Sequence, residues 1–322
     1  MTSQTRFDSG LLGGPSLSCQ ISIVTPSYNQ GRFITAAVDS VLGQAYPNLE
    51  YFVVDGGSRD NTKTILEKYG KAIRWISEPD LGQADAINKG FQGTQGDILG
   101  WLNADDTYCP ETLKEVAAQF ENDPELMMLY GDANHVDVEG HFIEKYPTKS
   151  YCLEHLAFQC FICQPACFFR RSLLEVVGHL DPRLQYALDL DLWIRFGIAQ
   201  KKNPQWKFRY LSKVLALSRM YQENKTLSKR KEVYEEIMEV VKKHFSFTPF
   251  NWVYGLEEVT AGLGDGYSHK TSFSVFLLSR SILRWTWINR NHPTYILQFL
   301  FDRLRNPTDS LKRISQRTHH ET

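Results

Sequence analysis

The chain of 322 residues is 42% hydrophobic and 23% charged, the composition of a globular protein with room for one enlarged domain or a domain with an appendage. Its formal net charge of −1 gives no electrostatic reason to expect nucleic acid as a partner. No run of about 18 uncharged apolar residues occurs in the sequence, so we predict no membrane-spanning helix.

The polar, glycine-rich residues 1–18 contain no apolar stretch after a basic start. We therefore expect a disordered arm rather than a signal peptide. The 6 cysteines of a chain without a secretory signal are expected to be reduced thiols. Both features favour a cytoplasmic protein.

Between residues 19 and 120, short apolar runs alternate with segments whose apolar residues have helical spacing. The runs predict strands at residues 21–25, 49–54, 73–76 and 98–102. The segments between and after them predict helices at residues 33–42, 62–69, 82–91 and 111–120. This alternation indicates a doubly wound parallel sheet with right-handed crossovers.

Beyond residue 120 the alternation is looser. We predict further extended segments at residues 126–130, 166–169 and 208–220, and helices at residues 151–158, 172–177, 188–199 and 227–245, the last facing solvent. From residue 248 onward, aromatic and aliphatic residues mix with arginines and predict a helical hairpin. We expect this hairpin to pack on its own domain or a second copy of the chain, or to lie peripherally at the inner face of a membrane.

Three of the predicted strands end in acids. Asp55 follows the second strand, Asp80 follows the third, and Asp105 and Asp106 follow the fourth. Because the carboxyl ends of parallel strands meet at one edge of a sheet, we expect these acids to line one crevice. Two adjacent acids repel each other and lose hydration when buried, so a divalent cation is their natural partner. A strand-end acid can instead serve only as a turn former or helix cap.

Four sequence blocks at the strand ends are distinctive. They read Thr25-Pro26-Ser27-Tyr28-Asn29, Val54-Asp55-Gly56-Gly57-Ser58-Arg59-Asp60-Asn61-Thr62, Glu78-Pro79-Asp80-Leu81-Gly82-Gln83-Ala84-Asp85-Ala86-Ile87-Asn88-Lys89-Gly90 and Trp101-Leu102-Asn103-Ala104-Asp105-Asp106. No GxGxxG fingerprint or Walker loop accompanies them, which argues against a nicotinamide enzyme or a P-loop kinase. In this order the blocks resemble the signatures of inverting glycosyltransferases of family 2 with the GT-A fold, over about residues 20–225.

The resemblance implies a GT-A fold, a Rossmann-like mixed α/β sheet flanked by helices, with an α-helical C-terminal extension. Together with the polar N-terminus and the helical pattern of the later residues, it divides the chain into the arm 1–18, the GT-A domain 19–225 and the extension 226–322. It implies sugar transfer from a nucleotide-diphosphate donor to a hydroxyl of a saccharide or lipid-linked acceptor, in polysaccharide, lipopolysaccharide or glycolipid biosynthesis. The expected nucleotide is UDP, with GDP and dTDP as alternatives, and the expected cofactor is Mn²⁺ or Mg²⁺.

Residue by residue, the resemblance assigns Asp105 and Asp106 to the metal. It assigns the nucleotide sugar to residues of all four blocks, namely Thr25, Pro26, Tyr28, Asp55, Asp80, Asn88, Asn103 and Ala104.

The later sequence Asp189-Leu190-Asp191-Leu192-Trp193 is similar to the family's acidic motif, with Asp189 as the catalytic base. Inverting transfer is one in-line displacement, so a carboxylate must deprotonate the acceptor hydroxyl opposite the leaving diphosphate. An acid in the first turn of a helix is also favoured by the macrodipole, so a structural role for Asp189 stays open. Gln164, Asp191 and Trp193 are assigned to the acceptor side, with a structural role expected for Asp191.

Two residues depart from the family pattern. Asn103 replaces the first acid of the metal motif, and Tyr221 stands where many relatives offer a histidine to the metal. A neutral amide weakens the charge that holds a cation, so we expect weak metal affinity without the diphosphate. The departures leave open a catalytically weak or inactive relative that binds a nucleotide sugar or a protein partner. A nucleotidyltransferase would carry a Gly-rich, Lys-containing loop after the first strand, where this chain has Pro26-Ser27-Tyr28-Asn29.

Overall fold

The computed structural model of the chain describes residues 19–262 and 275–297, and the predicted arm at residues 1–18 lies outside them. The described strands form one sheet. They are β1 (Ile21–Ser27), β2 (Leu49–Asp55), β3 (Arg74–Ser77), β4 (Ile98–Trp101), β5 (Thr107–Tyr108), β6 (Leu126–Val136), β7 (Phe142–Lys145), β8 (Cys167–Arg170) and β9 (Lys207–Arg219).

The described helices flank this sheet or follow it. They are α1 (Ile34–Leu42), α2 (Thr62–Lys68), α3 (Gln83–Gln92), α4 (Thr112–Asn122), α5 (Leu153–Leu156), α6 (Arg171–Val177), α7 (Leu188–Lys202), α8 (Lys225–Ser228), α9 (Arg230–Phe245), α10 (Phe250–Thr260) and α11 (Val275–Ile288).

The strand order is β3-β2-β1-β4-β8-β6-β9-β5, with β7 paired to β6 at the side. The first four strands are parallel, as the alternation of strand and helix predicts. The second half is mixed, because β8 runs antiparallel to both β4 and β6. The outcome is the mixed α/β sheet flanked by helices that the resemblance implies.

The parallel register brings the loops of interest to one edge. Ser27, at the end of β1, pairs with Asp55 at the end of β2, and Asp55 pairs with Ser77 at the end of β3. Because β1 also pairs with β4, the block that follows Trp101 emerges at the same edge. The four blocks therefore leave the sheet side by side.

Close packing of α3 on β1 needs a glycine. A Cβ built at Gly90 would stand 2.3 Å from Cγ1 of Val24, so a larger residue would push the helix off the strand. Ile87 and Phe91 of the same helix are fully buried in the core. This packing holds the loop between β3 and α3, which carries Asp80, at the edge of the sheet.

The predicted solvent-facing helix at residues 227–245 is wrong in two respects. It is interrupted at Lys229, which separates α8 from α9. In addition, Val240 and Val241 of α9 are buried in the same core cluster as residues of α7. The amphipathic α9 thus belongs to the packed body that carries the site.

The C-terminal helices form a smaller core of their own. Phe250 and Val253 of α10 pack with Trp285 of α11, while Leu283 and Trp287 of α11 are exposed. The part of the predicted hairpin at residues 263–274 and 298–322 lies outside the described residues. None of the described helices combines the length and apolarity needed to cross a membrane. Peripheral membrane contact and self-association through these helices stay predictions.

Trp193 joins α7 to the sheet. Its ring is fully buried and stacks on Trp101 of β4, with centroids 5.6 Å apart and an interplanar angle of 22°. We expect Trp193→Ala to lower the free energy of unfolding by about 3 kcal/mol, because it removes a buried ring and leaves a cavity. Urea unfolding followed by circular dichroism measures this loss. Trp287→Ala, at an exposed ring, is the control and is expected to change stability by less than about 0.5 kcal/mol.

Candidate active site

The loops at the carboxyl edge of the parallel strands surround one cavity of about 1130 Å³. Its lining includes residues at or after the ends of β1, β2, β3 and β4, together with residues from the segments 185–190 and 218–229. A cavity at the carboxyl ends of parallel strands, where the sheet changes direction, is the usual ligand site of such sheets.

Asp105 and Asp106 line the cavity just after β4. Asp106 is buried, and its Oδ1 accepts a hydrogen bond of 2.9 Å from the backbone N–H of Arg219. One oxygen of Asp105 accepts a 2.9 Å bond from the Tyr221 hydroxyl. The two acids are thus fixed by β9 and the segment that follows it.

The residues of this acidic pair fit a divalent cation. Burial, together with the charge of Asp105, raises the pKa of Asp106 to about 8, and burial raises the pKa of Asp105. The nearby charge of Arg219 opposes this rise at Asp105 without cancelling it, and a divalent cation would supply further positive charge. Their ligand atoms are carboxylate oxygens, the donors that Mg²⁺ and Mn²⁺ prefer.

Asn103 is held between two polar partners. Its Oδ1 accepts a 2.7 Å hydrogen bond from Nε2 of Gln83, and its Nδ2 donates a 3.2 Å bond to Oδ2 of Asp106. A carboxylate at this position could not donate to Asp106 and would add a third negative charge. The amide therefore limits the repulsion among the acids. Tyr221, the second departure from the family pattern, meets Asp105 through its hydroxyl.

Asp189 lies in the first turn of α7 and lines the same cavity. Its Oδ1 accepts a 2.8 Å hydrogen bond from the backbone N–H of Leu190. Burial, with a smaller contribution from the charge of Glu236, raises its pKa to about 6. A half-buried carboxyl with a pKa near 6 is suited to accept a proton near neutral pH.

Asp191, two residues further, has a different environment. It is fully buried, and its carboxylate accepts hydrogen bonds from Arg195 Nε at 2.7 Å, His244 Nε2 at 2.7 Å and Lys243 Nζ at 3.1 Å. These partners hold its pKa well below the usual range despite the opposing effect of burial. Asp191 ties α7 to α9 and to its own helix, which is the structural role expected for it.

Several polar atoms of the cavity wall have no hydrogen-bond partner among the described residues. They include Oγ of Ser27, Oε1 of Gln164 and Nε1 of Trp101, all of them buried. The other end of the Gln164 amide donates a 2.7 Å bond to the carbonyl oxygen of Trp101, which fixes its orientation. Unpartnered buried polar atoms are rare and costly, so a polar ligand is the natural partner of this wall.

Most of the predicted site residues line the cavity. They are Pro26, Tyr28, Asp80, Asn103, Ala104, Asp105, Asp106, Gln164 and Asp189. Among the described residues, five predicted ones do not line it, namely Thr25, Asp55, Asn88, Asp191 and Trp193.

Three of these five make internal contacts instead. Asp55 is fully buried and accepts hydrogen bonds from the Ser58 backbone at 2.9 Å, from the Ser77 hydroxyl at 2.6 Å and from the Ser58 hydroxyl. Thr25 is fully buried beside the hydroxyl of Tyr51. Asn88 makes two hydrogen bonds to the backbone of Leu180. Their roles in nucleotide binding stay predictions.

Two residues of the site escape a reading of the sequence alone. Lys225 lines the cavity at the start of α8, where its Nζ lies 3.3 Å from Oε1 of Gln185. Glu236 of α9 accepts hydrogen bonds from the backbone of residues 185–187. Lys225 lies on the predicted domain boundary. Glu236 lies in the helix predicted over residues 227–245, where the spacing of Lys and Glu residues indicates a solvent-facing surface.

Comparison with known proteins identifies the family. The model of glycosyl transferase family 2 matches residues 22–178. The PGL/p-HBAD biosynthesis glycosyltransferase of Mycobacterium bovis is 30% identical over 200 residues, which cover 61% of this chain and 75% of that protein. The chain belongs to glycosyl transferase family 2.

A second relative shows how much of a relative's length this chain matches. An uncharacterised glycosyltransferase of Rickettsia typhi is 30% identical to this family-2 chain over 189 residues, 55% of the chain. The match spans only 58% of the length of the rickettsial protein.

Solved structures agree with the predicted fold. S. aureus TarS 1–349 in complex with UDP-GlcNAc superimposes with a TM-score of 0.57 at 19% identity, over 82% of this chain and 78% of that one. The mannosyltransferase PcManGT from Pyrobaculum calidifontis, in complex with GDP-Man and Mn²⁺, gives 0.56 at 15% identity, over 92% and 90%. At these identities the likeness shows the fold alone. The GT-A fold predicted for this family-2 chain is confirmed.

Proposed function

We propose that this chain is an inverting glycosyltransferase that moves a sugar from a nucleotide-diphosphate donor to a hydroxyl acceptor. One observation carries the proposal: Asp189 of α7 and the acidic pair Asp105 and Asp106 line a single cavity. A cation-binding pair and a separate carboxyl of raised pKa are the two parts that a metal-assisted, base-catalysed displacement requires.

The donor is proposed to lie on the side of the cavity formed by the strand ends. Pro26, Tyr28 and Asp80 line that side, and the unpartnered hydroxyl of Ser27 lies among them. Structures of the same fold hold UDP-GlcNAc and, with Mn²⁺, GDP-Man. We favour UDP as the nucleotide, with GDP and dTDP as alternatives, and Mn²⁺ or Mg²⁺ at Asp105 and Asp106.

The proposed reaction is a single displacement. Asp189 removes the proton from the acceptor hydroxyl as the oxygen forms a bond to the anomeric carbon. The bond from that carbon to the diphosphate oxygen breaks, and the diphosphate leaves with the electron pair on the opposite face. A bound divalent cation supplies charge neutralisation for the leaving group. Lys225 also lines the cavity, and we propose that its ammonium adds positive charge toward the leaving diphosphate.

The acceptor is proposed to be a saccharide or a lipid-linked molecule. A relative of this chain is named for PGL/p-HBAD biosynthesis, which supports a role in glycolipid or polysaccharide assembly. Gln164, whose unpartnered oxygen borders the cavity, is the residue we assign to that side. A binding-only relative is less well supported, because Asp189 and the acidic pair share one cavity.

A donor panel tests the proposal. The chain is incubated with UDP-, GDP- and dTDP-sugars and Mn²⁺, with simple glycosides as acceptors, and release of nucleoside diphosphate is measured. We expect one donor to be consumed at least about tenfold faster than the others, because polar groups of the site are left unpaired by the wrong donor. Proton NMR of the product is expected to show the inverted anomer. Failure to consume any donor would contradict the proposal and favour a binding-only relative.

A further inference from the structure

The backbone just before α7 is held by an acid from a distant helix. Oε1 of Glu236 accepts hydrogen bonds from the backbone N–H groups of Gln185, Tyr186 and Ala187 at 3.0, 2.6 and 2.7 Å, and Oε2 lies 2.8 Å from the Gln185 nitrogen. Three successive N–H groups that converge on one carboxylate form an anion-binding nest. These N–H groups belong to the N-cap residue Ala187 and the two residues before it, so the carboxylate fixes the chain where it enters α7 and places a negative charge near the positive end of the helix dipole.

We propose that Glu236 is a positioning residue, which fixes the backbone of residues 185–187 and thereby holds Asp189 toward the cavity. The inference rests on the function proposed above. Glu236 acts through the backbone and not on a substrate, since Val233 and Ile237 of α9 line the cavity but Glu236 does not. Through Glu236, the C-terminal extension would thereby help to position the proposed catalytic base.

Residues 185–187 contact two other segments of the cavity lining, the loop at Gly82 and the start of α8 at Lys225. The Gln185 side chain is 3.0 Å from where a Cβ would stand at Gly82, on the loop that carries Asp80. The same side chain contacts Nζ of Lys225, whose ammonium lies 5.3 Å from the centroid of the Tyr186 ring. A carboxylate that fixes this segment therefore sets the positions of both the proposed base, Asp189, and the Lys225 ammonium.

A second contact restrains the same pair of helices. Asp191 of α7 accepts hydrogen bonds from Lys243 and His244 of α9, so α9 holds α7 at two points within its first turn and just before it. Between these two points lies Asp189. Its carboxylate accepts hydrogen bonds from backbone N–H groups of the first turn of α7, including that of Leu190, so the restraint on its position comes from the helix itself.

The charge of Glu236 provides a test that a merely structural role would not pass. The other titratable groups that interact with Asp189 are the Tyr146 phenol and the thiols of Cys160, Cys163 and Cys167, whose pKa values burial raises far above neutrality. Those groups stay neutral near pH 6, so Glu236 is the charged neighbour identified for Asp189. Removing this charge is expected to lower the pKa of Asp189.

Two variants of the full chain separate geometry from charge. Glu236→Gln keeps the size and removes the charge, whereas Glu236→Asp keeps the charge but is one methylene too short. We expect each to lower kcat by about tenfold to a hundredfold with little change in donor KM, because a misplaced base loses alignment without losing donor contacts. The acid limb of the pH–rate profile is expected to move to lower pH only in Glu236→Gln. Glu239→Gln, an exposed acid on the same helix, is the control and is expected to match the wild type.

Amide hydrogen exchange gives a readout that needs no activity. Exchange at residues 185–187 is expected to be faster in Glu236→Gln than in the wild type or in Glu239→Gln, with the melting temperature measured alongside. If no donor is consumed even by the wild type, the proposed function fails, and the exchange comparison still decides whether Glu236 holds the segment. Unchanged exchange would overturn the inference, as would a loss of activity in which the acid limb stays at its wild-type position in Glu236→Gln.

Discussion

Asp189→Asn is expected to lower the rate of sugar transfer by about 10³-fold while leaving donor affinity nearly unchanged, because general-base catalysis contributes 10²–10⁴-fold. The amide has the shape of the carboxyl group but cannot take the proton from an acceptor hydroxyl. Single-turnover transfer assays measure the rate, and titration calorimetry with UDP and Mn²⁺ measures the affinity. A variant that retains a tenth or more of the wild-type rate would show that Asp189 is not the base.

The pH dependence of the wild type belongs to the same prediction. A base works only when deprotonated, so the rate is expected to rise as pH increases through the Asp189 pKa of about 6. Folding stability is expected to change with pH in the opposite direction. A raised pKa means that the folded state favours the protonated acid, so its contribution to stability is lost as pH rises from 3.8 to about 6. Asp189→Asn is therefore expected to melt at the same temperature as the wild type at pH 7, or higher.

Asp191→Asn provides the matched contrast, two residues along the same helix. Asp191 is buried and accepts hydrogen bonds from Arg195, Lys243 and His244, so its loss leaves the largely buried Arg195 guanidinium without a counter-charge and is expected to cost about 3 kcal/mol. Its lowered pKa places this stabilisation above the usual pKa of the acid and removes it as pH falls. We therefore expect Asp189→Asn to lose activity without losing stability, and Asp191→Asn to lose chiefly stability.

The contrast between these two acids shows what the sequence can reveal. Strand–helix alternation predicts the parallel half of the sheet, and the positions of the strand ends predict that Asp80, Asp105 and Asp106 line the site. Both predictions depend on local sequence patterns. Asp189 and Asp191 both lie in the first turn of α7, and local periodicity does not say which one faces a cavity; only the family resemblance singles out Asp189. The packing of α9 distinguishes the two acids, because Lys243 and His244, far along the chain, donate hydrogen bonds to Asp191.

The same limit applies to Asp55 and Glu236. Asp55 stands at a strand end like the other acids, yet Ser58 and Ser77 engage its carboxylate and burial removes it from the cavity wall. Glu236 lies in a helix whose Lys and Glu spacing is typical of a solvated face. Only the tertiary packing of α9 against α7 brings it to the backbone of residues 185–187. Such long-range pairings carry no periodicity that a single sequence displays.

The proposed metal site at Asp105 and Asp106 allows the second large prediction. Asp105→Asn and Asp106→Asn are each expected to weaken Mn²⁺ binding in the presence of UDP by more than about 100-fold, since losing even an outer-shell partner costs 10–100-fold. Mn²⁺ alone is expected to bind the wild type weakly, because Asn103 supplies no charge and Tyr221 supplies no imidazole. Titration of Mn²⁺ followed by electron paramagnetic resonance, with and without UDP, measures both effects.

Thermal unfolding gives an independent readout of the same site. Saturating Mn²⁺ and UDP at 100 times the dissociation constant is expected to stabilise the wild type by about 2.7 kcal/mol by mass action. Without metal, the raised pKa of Asp106 means that this acid destabilises the fold as pH rises from 3.8 to about 8, so Asp106→Asn is expected to melt no lower than the wild type. The stabilisation by Mn²⁺ and UDP should disappear in both variants.

An exposed acidic turn supplies the control. Asp137, Glu139 and His141 place their ligand atoms within 4.8 Å of one another outside the cavity, and could bind Mn²⁺ non-specifically. Asp137→Asn is expected to leave the UDP-dependent Mn²⁺ binding unchanged, because the nucleotide couples only to a cation inside the cavity. Equal losses in Asp137→Asn and Asp105→Asn would place the cation elsewhere. Retained UDP-dependent binding in both cavity variants would mean that the acidic pair does not hold the metal.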